Sequence, residues 1–418
     1  MPRDARIEAI LLAATARERA INRSPQQGVS AALRLALAAS KKRRPPSKIS
    51  LATSVVVVAL LLIAAPWRQA DNVAQAAPPS PVLPDMVTRE TVKSIERGLE
   101  YLKRTQRNDG SWIDGGGYGG GYPAVMSSLA GLALLSSGST PESGPYSKQV
   151  KKAMLYVLRL GESDKDGLIS GPGGEGRSMY GHGFGMLFLA QCYGMDVNRE
   201  FSERIRKLLD RAILVTASAQ SKKTGPSPGG GWIYTPSGGG DEGSVTVTQL
   251  QALRACRNVG VKVPKDVIEK AVAYLKFCQE PDGGICYSAQ SRGSSRPPIS
   301  AAAIACFYAA GVYDRQAGGA GPEAEMVEKL ITYLKRNAMD LNRSEGHWFY
   351  MHFYLSQGLY MRGGTDWQGY YPKIRDRLVQ SQVPDGSWNG DGVGTTYGTA
   401  IATTILQLPF GMLPISQR

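Results

Sequence analysis

Cysteine is scarce and odd in number: the 418-residue chain has five. Cys192, Cys256 and Cys306 fall inside apolar helical stretches, so the five read as small core residues and imply no disulfide framework. Acidic residues are outnumbered, 35 Asp and Glu against 49 Lys and Arg, for a net charge of +14. The excess is uneven, because residues 1–76 hold 12 basic side chains against 4 acidic ones. Most of the charge therefore reports membrane topology, and nucleic acid drops out as a partner. Gly115-Gly-Gly-Tyr-Gly-Gly120 has the spacing of a dinucleotide loop, but no strand precedes it and no βαβ unit is available, so it reads as a flexible loop. Glu162-x-Asp164-x-Asp166-Gly167-x-Ile169 resembles half of a calcium loop whose twelfth position, Gly173, lacks the bidentate Glu that the ion requires. His347 and His352 fall in a turn and on a helix, which argues against a shared metal. No metal or cofactor is expected.

What is present begins with a leader. Lys41-Lys-Arg-Arg44 and Lys48 precede the charge-free run Ile49–Trp67, 19 residues that are just long enough to span a bilayer as a helix. Basic residues before the run and only Arg68 close after it place the N-terminus in the cytoplasm and the remainder outside. The expected organisation is a basic cytoplasmic leader over 1–48, a membrane anchor over 49–67, a Pro/Ala-rich linker over 68–90 and a folded unit over 91–418. Localisation is then single-pass membrane with the folded unit extracytoplasmic. Ala74-Gln-Ala76 offers the alternative of cleavage after Ala76 and release to the periplasm.

From residue 92 the chain repeats itself. Gly110-Ser-Trp112, Gly167-Leu-Ile169, Gly230-Gly-Trp232, Gly283-Gly-Ile285, Gly346-His-Trp348 and Gly386-Ser-Trp388 recur at spacings of roughly 40–65 residues, near the range of repeat architectures. Three turns carry an upstream glutamine: Gln106, Gln279 and Gln382. Each unit opens with an amphipathic helix, such as Val92–Thr105 with Ile95, Leu99 and Leu102 on one face. A second helix, apolar nearly all round, follows the turn: Ala124–Ser136, His182–Cys192, Val245–Val259, Ala301–Val312, His352–Met361 and Gly398–Leu408. Val245-Thr-Val-Thr-Gln249 has strand propensity, but its place in the repeat argues for helix. Six exposed helices alternating with six buried ones are satisfied by two concentric rings, and closing the ring removes the ends that an open solenoid would cap. The turn Trp is expected to pack between helices, and the Gln amide to satisfy orphan N–H groups at a neighbouring helix start.

Arg97-Gly-Leu-Glu-Tyr101-Leu-Lys-Arg-Thr-Gln106-Arg-Asn-Asp-Gly110-Ser-Trp112 fits every specified position of the squalene and oxidosqualene cyclase repeat, Lys/Arg-Gly-x2-Phe/Tyr-Leu-x3-Gln-x3-Gly-x-Trp. Lys270–Ile285 matches it except at Ala271 and Ile285. The chain resembles the prenyltransferase/squalene-cyclase repeat superfamily over about residues 92–418, and in particular its bacterial, membrane-anchored, single-toroid members. The resemblance implies an all-α (α/α)6 toroid of six helix-pair repeats. It does not bring the chemistry with it, because one fold hosts several activities. The Asp-x-Asp-Asp acid of the cyclases is absent, since Asp164-Lys-Asp166-Gly167 falls in a repeat turn. The Asp-x-Cys…His zinc site of the protein prenyltransferases is absent, since Gly284 stands two residues before Cys286. The internal thioester string of complement-type toroids is absent too.

The remaining candidates stand where inner helices begin, because those N-termini converge on one mouth and their dipoles favour anions. His182, Asp241 and His352 are the candidate acid/base or metal-type group, and Tyr122, Tyr180, Glu242, Tyr350 and Tyr397 the candidate ligand-binding residues. Gln106, Trp112, Trp232, Gln279, Trp348, Gln382 and Trp388 are structural turn residues. Apolar inner walls and an anchor suggest an isoprenoid- or lipid-like ligand in a central cavity. The alternative is a non-enzymatic extracytoplasmic scaffold that binds protein or a cell-envelope polymer. A polysaccharide hydrolase needs carboxylates on both sides of a bond, and the adjacent pair Asp241-Glu242 does not flank one.

Overall fold

A computed structural model describes residues 83–114, 121–172, 175–197, 199–237, 239–309, 322–341 and 346–416. The leader, the apolar 49–67 segment, the linker up to residue 82 and the Gly115–Gly120 loop lie outside the described residues. Among the described residues no helix is long and apolar enough to cross a membrane.

The described residues form twelve α-helices, and the only strand pairing among them is isolated bridges. In chain order they are α1 Arg89–Thr105, α2 Pro123–Leu135, α3 Ser147–Ser163, α4 Ser178–Cys192, α5 Glu200–Ala219, α6 Gly243–Asn258, α7 Lys265–Phe277, α8 Pro297–Ala309, α9 Pro322–Asn337, α10 Trp348–Arg362, α11 Gly364–Ser381 and α12 Thr395–Gln407. The odd helices are amphipathic. In α1, Thr88 and Thr91 form a capping box, Val92, Ile95, Leu99 and Leu102 are buried, and Lys103 and Arg104 complement the dipole at the far end. The even helices are buried on all sides: every residue of α2 from Ala124 to Leu135 is inside. The 245–249 segment is helical, and its threonines turn inward on their own helix, Thr246 Oγ1 donating to Glu242 O and Thr248 Oγ1 to Ser244 O, both at 2.8 Å.

Neighbour packing gives the topology. The even helices touch in the cycle α2, α4, α6, α8, α10, α12 and back to α2, while each odd helix packs outside its even partner and α11 also meets α1. The result is an α/α toroid with an inner and an outer ring. Small residues set the inner spacing: a Cβ on Gly131 of α2 would meet the Phe188 ring at 2.4 Å, and one on Gly358 of α10 would meet Ile304 at 2.6 Å. Inner helices begin earlier than the apolar pattern suggests, α4 at Ser178 and α8 at Pro297, because Gly, Ser and Pro suit a first turn that the hydrophobic run does not mark.

The turns tie neighbouring repeats together. The Gln106 amide donates to Gly110 O at 3.1 Å and to Gln149 O of the next outer helix at 3.0 Å. Gln279 does the same to Gly283 and Met326, and Gln382 to Gly386 and Ser94. These amides donate to carbonyls, where orphan N–H groups were the expected partners. Trp112, Trp232 and Trp388 are fully buried, and each indole N–H donates back to its own outer helix, to Leu102 O, Thr216 O and Leu378 O. The fifth unit departs from the pattern. Gly346-His-Trp348 is not a repeat turn: His347 is the left-handed N-cap of α10 and Trp348 its first residue, its ring 4.3 Å from the His352 ring and tilted to it by 56°.

Two features fill the interior. Although α8 stands between α6 and α10 in the ring, these two helices also bond each other directly: Gln251 Nε2 donates to Gln357 Oε1 at 3.1 Å, and the Thr248 and Tyr354 hydroxyls lie 3.4 Å apart. All four side chains are buried. At the opposite end the chain after α12 runs across the inner ring, burying Leu408, Phe410, Met412 and Leu413 and reaching α4 through Ile415 N to Gln191 Oε1 at 3.1 Å.

Candidate functional site

The mouth at the N-termini of the inner helices follows from the turn geometry. In five repeats the amide of the turn's third residue donates into the next inner helix. Trp112 N reaches Ser127 Oγ at 3.1 Å, Trp232 N reaches Thr246 Oγ1 at 3.0 Å, Ile285 N reaches Ser300 Oγ at 2.8 Å and Trp388 N reaches Thr399 Oγ1 at 3.1 Å. In the second repeat the acceptor is His182 Nδ1, 3.1 Å from Ile169 N. That bond fixes the proton on Nε2, which donates to Ala212 O at 3.0 Å on the outer helix α5. Burial lowers the pKa of His182 to about 4. Both nitrogens are occupied by backbone, so His182 is a hinge pin of its repeat with no free atom for acid/base work.

His352 occupies the same fifth place in α10. Its Nδ1 lies 2.8 Å from the Tyr370 hydroxyl on the outer helix α11, and burial takes its pKa down to about 3. The two imidazoles therefore face different outer helices and not a common cavity. Asp241 is also spoken for: its Oδ1 accepts from Ala289 N at 2.8 Å. The expected constellation of His182, Asp241 and His352 does not assemble, and among the described residues no group of three or more His, Cys, Asp or Glu is placed to hold a metal.

Tyr180, Glu242 and Tyr350 do come together. Glu242 is the N-cap of α6, accepting from Val245 N at 2.7 Å and Ser244 N at 3.0 Å. The Tyr180 hydroxyl donates to Glu242 Oε1 at 3.3 Å and bonds Ser244 Oγ, while the Tyr350 hydroxyl reaches Ser244 O from α10 at 3.5 Å. Burial raises the Glu242 pKa, and the hydrogen bonds from Ser244, Val245 and Tyr180 oppose it. Tyr122 is the left-handed N-cap of α2, and Tyr397 stands in the first turn of α12, where its amide bonds Asp114 Oδ2 at 2.9 Å.

Three residues extend this cluster and escaped the sequence reading. Arg177, just before α4, holds its guanidinium 4.8 Å from the Tyr234 ring centroid. The Tyr234 and Tyr287 hydroxyls bond each other, Tyr180 and Tyr234 lie 6.1 Å apart between ring centroids, and Tyr287 is 37% exposed. Tyr234 and Tyr287 each stand two residues beyond the third turn residue, Trp232 and Ile285. Repeat register was the signal that could have found them.

A separate pocket of about 320 Å3 lies between α3 and the start of α4, lined by residues including Asp164, Ser170, Glu175 and Ser178. Burial raises the Glu175 pKa to about 7, against the pull of the nearby Gly171 and Ala124 amides.

Among solved structures, a type II terpene cyclase from Scytonema with geranylgeranyl dihydroxybenzoate is similar at a TM-score of 0.50 and 14% identity, over 78% of this chain and 98% of that one. The α-1,6-mannanase of a Salegentibacter species, as an inactive variant with α-1,6-mannotriose, is similar at 0.57 and 10% identity, over 77% and 99%. A glycosidase variant is similar at 0.52 and 12%, over 78% and 98%. The fold shared with these structures is an α/α toroid. No family profile and no curated protein matches the sequence. At these identities the likeness is one of fold, so what the toroid does must be argued from its mouth.

Proposed function

We propose that the toroid is a non-enzymatic binding module whose tyrosine-rich mouth takes a polyhydroxylated cell-envelope polymer, a polysaccharide. The buried pairs Gln251–Gln357 and Thr248–Tyr354 between α6 and α10 carry this reading. An isoprenoid chain seated between α6 and α10 would have to separate those buried pairs and leave their polar groups unpaired, each at a cost of about 1–3 kcal/mol. A ligand that stays at the mouth meets Tyr180, Tyr234, Tyr287, Tyr350, Arg177 and Glu242 instead. Tyrosine rings offer flat faces for the apolar side of a sugar and hydroxyls for its polar edge. Arg177 and Glu242 add a donor and an acceptor of opposite charge. The mannanase, a toroid similar in fold and seen with α-1,6-mannotriose, supports this reading.

The same reading places the toroid outside the cytoplasmic membrane, held by the 49–67 segment or released after Ala76. Fractionation with alkaline extraction, and sequencing of the mature N-terminus, separates these two.

Binding is tested on full-length protein by co-sedimentation with insoluble polysaccharides and by titration with soluble oligosaccharides. Replacing both Tyr234 and Tyr287 by Ala should weaken binding about tenfold or more, near 1.4 kcal/mol, with an unchanged melting temperature. Binding that is indifferent to this double substitution, or an isoprenoid carried through purification at one per chain, would overturn the reading.

A further inference from the structure

The repeat turn after α7 is a short hairpin. Gln279 and Ile285 form an antiparallel bridge, with Glu280 N donating to Gly284 O at 2.8 Å. Antiparallel register sets the residue before one partner opposite the residue after the other, so Cys278 faces Cys286. Cys286 N indeed donates to Cys278 O at 3.0 Å. Directly opposed residues joined by such a bond have Cα atoms about 5.5 Å apart, within the roughly 4.4–6.8 Å that a disulfide spans. Neighbouring Cys278 lowers the pKa of Cys286, and Cys286 Sγ reaches Ser288 O at 3.2 Å. Both are free thiols in this structure and both are buried.

Repeat packing does not require this pair. The corresponding positions hold Thr105 and Ile113 in the first turn, Ala219 and Ile233 in the third, and Ser381 and Asn389 in the last. The other three cysteines, Cys192, Cys256 and Cys306, each lie within an inner helix.

We propose that Cys278 and Cys286 form a disulfide that staples the hairpin carrying the mouth residue Tyr287 to the end of α7. The oxidant is a disulfide of the thiol-exchange class, RSSR, met while the chain folds and before the turn buries both sulfurs. The Cys286 thiolate attacks RSSR and expels RS⁻, giving a mixed disulfide. The Cys278 thiolate then attacks the Cys286 sulfur and expels the second RS⁻. The two expelled thiolates take up the two protons that the cysteines lose, so the protein gives up two electrons and RSSR gains them. The staple acts on the mouth through backbone, because Gly243 N at the start of α6 donates to Tyr287 O at 2.8 Å and Ala289 N donates to Asp241.

Full-length protein is unfolded with reductant present and refolded in a mixture of oxidised and reduced glutathione. Free thiols are then alkylated under denaturing conditions and the protein is digested with trypsin. The peptide Phe277–Arg292 contains both cysteines. It should be found unalkylated and two hydrogens lighter than its reduced form, while Cys192, Cys256 and Cys306 are alkylated. The oxidised protein should melt roughly 3–6 °C above the reduced one, a gap that vanishes in Cys278→Ser. Double alkylation of Phe277–Arg292 throughout the redox series would overturn the proposal, as would a disulfide linking either cysteine to one of the other three. Where Cys278→Ser fails to fold, Cys286→Ser supplies the same comparison.

Discussion

Glu175 and the two buried histidines pull the pH dependence of stability in opposite directions. His182 and His352 have pKa values lowered by burial to about 4 and about 3. As the pH falls below about 6.5 the unfolded chain takes up protons that the buried rings refuse, so the native state loses stability toward pH 4. Glu175, with its pKa raised by burial to about 7, is protonated in the folded protein before it is in the unfolded chain. Its contribution is full below about pH 4.5 and is lost as the pH rises through 7. Glu175→Gln removes that loss. The variant should be more stable than the parent by about 2 kcal/mol at pH 8, after a discount for partial exposure, and equal to it near pH 4.5. Urea unfolding at the two pH values measures both, and a variant that is destabilised at pH 8 would show a Glu175 carboxylate that is paired and not strained by burial. At this scale the sequence was readable in residue type and not in direction. It showed that histidines open α4 and α10, but the His182 ring turns toward α5 because it is the acceptor for a turn amide, and the His352 ring toward α11, where it meets the Tyr370 hydroxyl. Only the fold reveals that Ser127, Thr246, Ser300 and Thr399, fourth or fifth in their helices, accept the corresponding turn amide.

The helix–turn–helix unit shows which part of the motif is physical necessity. Gln220 lies ten residues before Gly230, where the other turn glutamines lie four before their glycines, yet its amide makes the same two bonds, to Gly230 O and to Val267 O, both at 2.9 Å. The longer loop hid it from spacing, while the structure superposes its function on Gln106, Gln279 and Gln382. Gln220→Ala should therefore cost about 1–3 kcal/mol, the same as Gln279→Ala, since each leaves two carbonyls without their donor. The glycine is stricter. Gly230 has φ +99°, and a Cβ there would meet Lys270 O at 2.2 Å, as one on Gly110 would meet Lys152 O at 2.3 Å. Gly230→Ala should exceed the glutamine loss, at roughly 3–4 kcal/mol or more, because the left-handed backbone and the clash act together. Denaturant unfolding of the variants checks the order, which fails if Gln220→Ala is neutral. The elements themselves were legible because two hydrophobic patterns, one striped and one all-round, alternate along the chain. The fifth turn was misread because Gly346-His-Trp348 copies the spelling of a turn, while Trp348 is already helical and packs on His352.

Closure distinguishes this molecule from an open array of the same repeats. Gln382 of the last turn donates to Ser94 O at 3.0 Å, Asp114 of the first turn accepts from Thr396 N at 3.2 Å and Tyr397 N at 2.9 Å, and Gln407 at the end of α12 donates to Ala133 O at 3.0 Å. Each bond joins residues more than 270 positions apart, so forming the last helix pair completes the first. In an open solenoid each unit feels only its neighbours, and terminal units open at a lower free energy than central ones. A closed ring has no terminal unit. Native-state hydrogen exchange should therefore give the slowest amides of α1, α2 and α12 one common opening free energy, equal to that of α6. Asp114→Ala breaks the cap that the first repeat lends to α12 and should lower the whole set by about 1–2 kcal/mol together. If α12 alone lost protection in that variant while α6 stayed unchanged, the ring would be closed in shape and not in energy. The helices that frame the mouth would then open independently of one another.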